Sequence, residues 1–171
     1  MDANPAASDS AIYCFSACAV PIGIDRLPLQ SRRGAAFGDV NNDGKVDILI
    51  LNVGQPPTLL LNRTQTSNHA VLFKLVGSKS NKAAIDARVM VTAGGIAQFS
   101  EVRSGTSYLS QNDLRLHFGL GKEVTMATVE VSWPSGKKEV YKDLAADFIY
   151  TIFEGTGITE KTPLEGSPNT K

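Results

Sequence analysis

The chain has little cysteine and little histidine. Cys14 and Cys18 are its two cysteines, and His69 and His117 its two histidines, in 171 residues. Two cysteines separated by three residues are too few for a zinc site or a disulfide framework. Neither histidine has a cysteine or glutamate at metal-ligand spacing. An excess of charge is also missing: Lys plus Arg and Asp plus Glu both number 17, so the formal net charge is zero. The only basic pairs are Arg32-Arg33 and Lys137-Lys138. A nucleic-acid partner is therefore not expected. No apolar run approaches the roughly eighteen residues of a membrane span. No amphipathic helical pattern exceeds two turns. A Gly-x-Ser-x-Gly nucleophile elbow is absent, and no catalysis is expected.

The amino-terminal stretch changes character once. Met1–Ser10 is polar and acidic, and Ala11–Ile24 is apolar and holds both cysteines. A secretory leader starts with Lys or Arg, whereas the early charges here are Asp2 and Asp9. Phe15-Ser16-Ala17-Cys18 has the order of a lipoprotein cleavage box without its basic leader. Residues 1–30 are expected to be a poorly ordered or truncated lead-in. Beyond them, 42% hydrophobic and 20% charged residues suit one sizeable globular core.

What is present in quantity is oxygen, concentrated in one loop. Asp39-Val40-Asn41-Asn42-Asp43-Gly44-Lys45-Val46-Asp47 puts carboxylates or a carboxamide at loop positions 1, 3, 5 and 9, with glycine at 6. A hard cation such as calcium takes six to eight oxygens and suits this spacing. Asp39, Asn41, Asp43 and Asp47 are the candidate side-chain ligands, with the backbone carbonyl of Lys45. An EF-hand would need glutamate at position 12. That position is Ile50, inside the β-branched and aliphatic run Val46–Leu51, which reads as a strand. The loop is expected to join strands Ala35–Gly38 and Val46–Leu51. Asp, Asn and Gly are also ordinary turn residues, so a metal-free Asx-rich turn is the competing reading.

Short strands and turn signals follow. Pro57–Asn62 is a short apolar run, and His69–Val76 reads as a strand. Ala87, Val89 and Val91 alternate with Arg88, Met90 and Thr92 before Gly94-Gly95, and Ile96–Arg103 reads as the returning strand. Leu114, Leu116 and Phe118 alternate with Arg115 and His117, which places His117 on a solvated face. Val129, Val131 and Trp133 share one face, so Trp133 is assigned to the core. Lys138–Lys142 returns after Pro134-Ser135-Gly136, and Phe148–Phe153 is expected to be the last strand, apolar on both faces. Residues 155–171 read as a flexible tail. About nine strands without a long helix indicate an all-β fold, an antiparallel β-sandwich or a barrel-like domain.

Ser107–Asp113 is dense in donors and acceptors. Arg103, Ser107, Tyr108, Ser110, Gln111 and Asn112 form a candidate ligand surface, for instance for a glycan, with Tyr108 as a stacking platform. The same residue types also satisfy their own backbone in loops.

These segments carry a family likeness. Arg33-Gly34-Ala35-Ala36-Phe37-Gly38-Asp39, leading into the acidic loop, resembles an FG-GAP or VCBS-type calcium-binding repeat. The following stretch resembles the ASPIC/UnbV domain of the cartilage acidic protein-like family. The likeness rests on Leu75-Val76-Gly77, Lys79-Ser80-Asn81, Ala87-Arg88-Val89 and Glu101-Val102-Arg103-Ser104-Gly105. It continues in Ser107-Tyr108-Leu109-Ser110-Gln111-Asn112, Leu116-His117-Phe118-Gly119-Leu120-Gly121 and Val131-Ser132-Trp133-Pro134-Ser135-Gly136. The resemblance implies a repeat over 31–66 shaped as one propeller-blade-like hairpin, an ASPIC/UnbV-like β domain over 67–154, calcium in the loop and no catalysis. It also implies an extracellular, cell-surface or periplasmic setting and a cell-surface or matrix protein or polysaccharide as partner. One blade cannot bury its own faces, so the chain is expected to be the carboxy-terminal part of a propeller-containing protein. The alternative is an accessory domain, for stability or targeting, of a larger secreted enzyme.

Overall fold

Eleven strands and their connections make up the described chain, with no helix in it. The structure is a computed structural model that describes residues 31–106 and 108–166. The expected lead-in with Cys14 and Cys18, and Ser107, lie outside the described residues.

Three sheets are formed. The first contains β1 (Arg32–Gly38), β2 (Asp47–Asn52) and β3 (Thr58–Leu60), antiparallel and in that order. The second has the order β11 (Gly157–Pro163), β10 (Phe148–Phe153), β4 (His69–Val76) and β7 (Leu116–Gly121). The third has the order β6 (Ile96–Glu101), β5 (Arg88–Ala93), β8 (Thr125–Ser132) and β9 (Lys138–Ala145). All pairings are antiparallel except β4 with β10, which is parallel. The acidic loop is the connection from β1 to β2, where Gly38 faces Asp47.

The second and third sheets face each other across one core. Period-2 alternation drives this: Val89 and Val91 on β5 and Val129 and Val131 on β8 are buried, while Arg88 and Met90 point outward. From the opposite sheet come Val71, Phe73, Leu116, Phe118, Tyr150 and Ile152. Phe73 stacks on Tyr150 at 5.8 Å and meets the edge of Phe118 at 5.9 Å between ring centroids. Each such fully buried side chain contributes about 1.5–3 kcal/mol. Trp133 is buried in this core, in phase with Val131 as expected. The arrangement is a sandwich; no closed barrel forms.

The expected tail is corrected. Gly157–Pro163 is a strand hydrogen-bonded along β10, and Leu164 just after it is buried. An edge strand with most side chains in solvent carries no apolar alternation, so its composition reads as a tail. Its presence explains why β10 is apolar on both faces. Tyr150 and Ile152 face the core, whereas Ile149 packs behind the sheet with Ala70, Leu72 and Leu164. That second cluster creates a seat on the outer face of the second sheet.

Candidate metal centre

The acidic loop lies on that seat. A left-handed residue at each of two positions folds it tightly: Asn42 at φ 58° and Gly44 at φ 80°. A Cβ on Gly44 would come within 3.0 Å of the Leu164 Cδ1 and 3.5 Å of the Ala70 Cβ, so glycine serves both the turn and the approach to the sheet.

Inside the loop the carboxylates cap backbone N–H groups. Asp43 N and Gly44 N donate to Asp39 at 3.0 and 2.8 Å. Val40 N and Asn62 N donate to Asp47 at 2.9 and 2.8 Å. Asp43 accepts from Lys45 N at 2.9 Å and from the Asn41 amide at 3.1 Å, and its carboxylate pairs with the Lys45 ammonium at 3.2 Å. Asp39 and Asp47 are 2% and 1% exposed. Burial pushes the Asp39 carboxyl above its usual range and the Asp43 charge adds to this, against the two N–H donors and the charge of Arg115.

The donor set is all hard oxygen, and a carboxylate oxygen that accepts one N–H keeps a further lone pair. In chemistry the residues fit a calcium-type ion. Their side chains are not drawn together, however: among the described residues, no group of three or more His, Cys, Asp and Glu forms a metal-holding cluster. Asp43 faces Lys45, so a bound ion would compete with that ammonium. An open cleft of about 280 Å³ reaches Asp39 and Asp47 from the side of Phe37, Gln111, Asp113 and Arg115.

Sandwich residues hold the loop from below. Arg115 donates from Nη1 to Asn42 Oδ1 at 2.6 Å and from Nη2 to the Asp39 carbonyl at 2.5 Å. His117 Nε2 donates to the Gly44 carbonyl at 2.7 Å, and Glu165 N to the Asn42 carbonyl at 2.7 Å. The expected solvated face of His117 is thus covered by the loop. Alternation correctly put Arg115 and His117 outside the core, but nothing local shows what lies over them.

Two residues of the candidate ligand surface, Ser110 and Asn112, are engaged with β1. Ser110 Oγ donates to the Ala35 carbonyl at 2.7 Å, Phe37 N donates to Asn112 Oδ1 at 3.1 Å, and Asp113 N donates to the Phe37 carbonyl at 2.9 Å. This strip covers the free edge of β1. Gln111 braces its own loop, accepting from Gly105 N at 2.7 Å and donating to the Arg103 carbonyl at 3.1 Å. Tyr108 stays 65% exposed. Arg103, whose carbonyl Gln111 meets, lines a cleft of about 430 Å³ with Glu101 and Asp86. The five described candidates therefore play different parts: Ser110 and Asn112 bind β1, Gln111 braces its loop, Tyr108 is exposed and Arg103 lines a cleft.

At the far end of the sandwich, the turn after β4 wraps another buried carboxylate, Glu154. Ser78, Lys79 and Ser80 all point backbone N–H groups at Glu154 Oε2, at 2.8, 2.8 and 2.7 Å. The Ser80 and Ser135 hydroxyls donate to Oε1 at 3.0 and 2.5 Å. Burial alone would raise the Glu154 carboxyl; these donors outweigh it and hold it down to about 2. The turn begins at Gly77, where any Cβ would collide with the Asn81 carbonyl. Sequence reading missed this cradle, because Glu154 stands 74–76 positions from its donors.

Residues 77–159 match the family described as ASPIC and UnbV. The ASPIC and UnbV stretch thus begins in the Gly77 turn and includes Glu154, Arg115 and the 108–113 strip. The chain is also similar to human Cartilage acidic protein 1, at 30% identity over 135 residues, 76% of this chain and 20% of that protein. It spans about a fifth of that relative's length. No helix among the described residues is long and apolar enough to cross a membrane.

Proposed function

We propose that this chain is a non-catalytic, extracytoplasmic binding module in which calcium fixes an FG-GAP-type blade, β1–β3, onto an ASPIC/UnbV sandwich. Asp39, Asn41, Asp43, Asp47 and the Lys45 carbonyl would hold the ion, which would draw their oxygens together and supply the positive charge they lack. The observation that carries this reading is the burial of Asp39 and Asp47 in a nine-residue all-oxygen loop, where backbone N–H groups meet both carboxylates. Burying a carboxylate is costly unless charge or hydrogen bonds compensate it.

The blade assignment has its own support. Ile48, Ile50 and Leu60 are half-buried on one face of the first sheet, while Leu49, Leu51 and Leu59 are exposed on the other. A sheet apolar on both sides is built to be covered on both sides. The relative named for cartilage supports a cell-surface or matrix partner, a protein or a polysaccharide.

Thermal melting in calcium against chelator tests the reading. At calcium a hundredfold above its Kd, the native state gains about 2.7 kcal/mol. The midpoint is expected to rise by several degrees, and Asp43→Ala to abolish the rise. An unchanged midpoint and no heat of binding at millimolar calcium would overturn it.

A further inference from the structure

The sandwich grips the acidic loop selectively. Its hydrogen bonds fall on the Asp39 carbonyl, the Asn42 side chain, the Asn42 carbonyl and the Gly44 carbonyl. None of these atoms belongs to the proposed ligand set. The carboxylates of Asp39, Asp43 and Asp47 have their hydrogen bonds within the loop and from Asn62. The ligand oxygens are left to the loop, and its non-ligand atoms are anchored by Arg115 and His117, more than 70 positions away.

Arg115 is the centre of that anchor. Its guanidinium spans two loop positions, through Asn42 Oδ1 and the Asp39 carbonyl, while pairing with Asp113 at 2.6 Å. A planar fork of this kind fixes geometry as well as charge. Asp113 pairs with the guanidinium and offsets part of its positive charge. Asp113 N in turn donates to the Phe37 carbonyl, which ties the anchor to the end of β1.

We infer that Arg115 is the positioning residue of the acidic loop: the sandwich preorganises the cation loop through the loop's non-ligand atoms. This rests on the calcium reading for its consequence, but the ordering of the loop stands without the ion. Positioning shells of this type change metal affinity by about 10–100-fold.

Two measurements on the full chain test it. In calcium-free buffer, amide hydrogen exchange is compared between wild type, Arg115→Met and Arg115→Lys. Both variants are expected to speed exchange at Asp43, Gly44 and Lys45, while Val89 and Val131 in the core keep their protection. Unchanged loop protection would overturn the inference. Calorimetric titration with calcium chloride then separates positioning from charge. Removing a nearby cation should tighten calcium binding if Arg115 acts only through its field. The positioning role predicts the opposite: a Kd raised about tenfold in Arg115→Met and also raised in Arg115→Lys. A Kd that is unchanged or lower in Arg115→Met would overturn it. If wild type binds no calcium, the calcium reading fails, and the exchange result still decides the role of Arg115.

Discussion

Two buried carboxylates, Asp39 and Glu154, sit in similar cradles and titrate in opposite directions. They are 2% and 3% exposed, and each accepts N–H groups from a tight turn. Asp39 receives two backbone donors and has Asp43 beside it; burial wins, and its carboxyl is raised. Glu154 receives three backbone donors and two hydroxyls; the donors win, and its carboxyl is held down to about 2. Burial alone therefore does not set the direction of a carboxyl's shift; the balance of donors against burial does. Glu154 is a completed clamp between the Ser78–Ser80 turn and Ser135 at one end of the sandwich. Asp39 is held in place with its charge under-compensated, the property that the proposed cation would relieve.

The comparison can be broken most forcefully at Gly77. Gly77→Ala drives a methyl into the Asn81 carbonyl, so the Ser78–Ser80 turn must move off Glu154. The expected loss is about 3 kcal/mol or more, read by chemical denaturation. A stability near wild type would show that the clamp tolerates rearrangement. Next comes Glu154→Gln, which turns an amide N–H₂ toward groups that are themselves donors. Its melting midpoint should fall by several degrees at neutral pH. Because the folded carboxyl lies below its ordinary 4.5, its stabilisation is complete above that value and lost as pH falls toward about 2. The gap between wild type and variant should close over the same range; a constant gap would refute the assignment. Asp39→Asn should have the smallest effect. A raised carboxyl favours the folded state at low pH, and that contribution disappears as pH rises through the folded value. Neutralising Asp39 relieves its charge but turns one amide N–H₂ toward a backbone N–H, so in chelator the loss should be about 1 kcal/mol, smaller than that of Glu154→Gln. A loss as large as that of Glu154→Gln would erase the distinction.

The sandwich was legible wherever one face meets a core and the other meets water. Val89 and Val91, or Val129, Val131 and Trp133, announce their strands by alternation. The oxygen spacing of Asp39–Asp47 was equally plain. Features that depend on distant partners were not legible. Most side chains of β11 face solvent, and it is held by main-chain bonds to β10, so its sequence has no strand signature. Ser110 and Asn112 look like ligand groups because polar side chains look alike whether they meet a sugar or the edge of β1. Arg115 and Glu154 act on residues more than 70 positions away, beyond any local pattern.

The seat of the loop also has a consequence for synthesis. The loop emerges early, yet its seat is built from Arg115, His117, Leu164 and Glu165. At ordinary elongation rates, the delay between Asn42 and Glu165 is on the order of ten seconds. Throughout that interval the nascent chain carries an acidic turn and a two-faced apolar hairpin with nowhere to dock. The loop is among the first parts of the described chain to be made and the last to find its support.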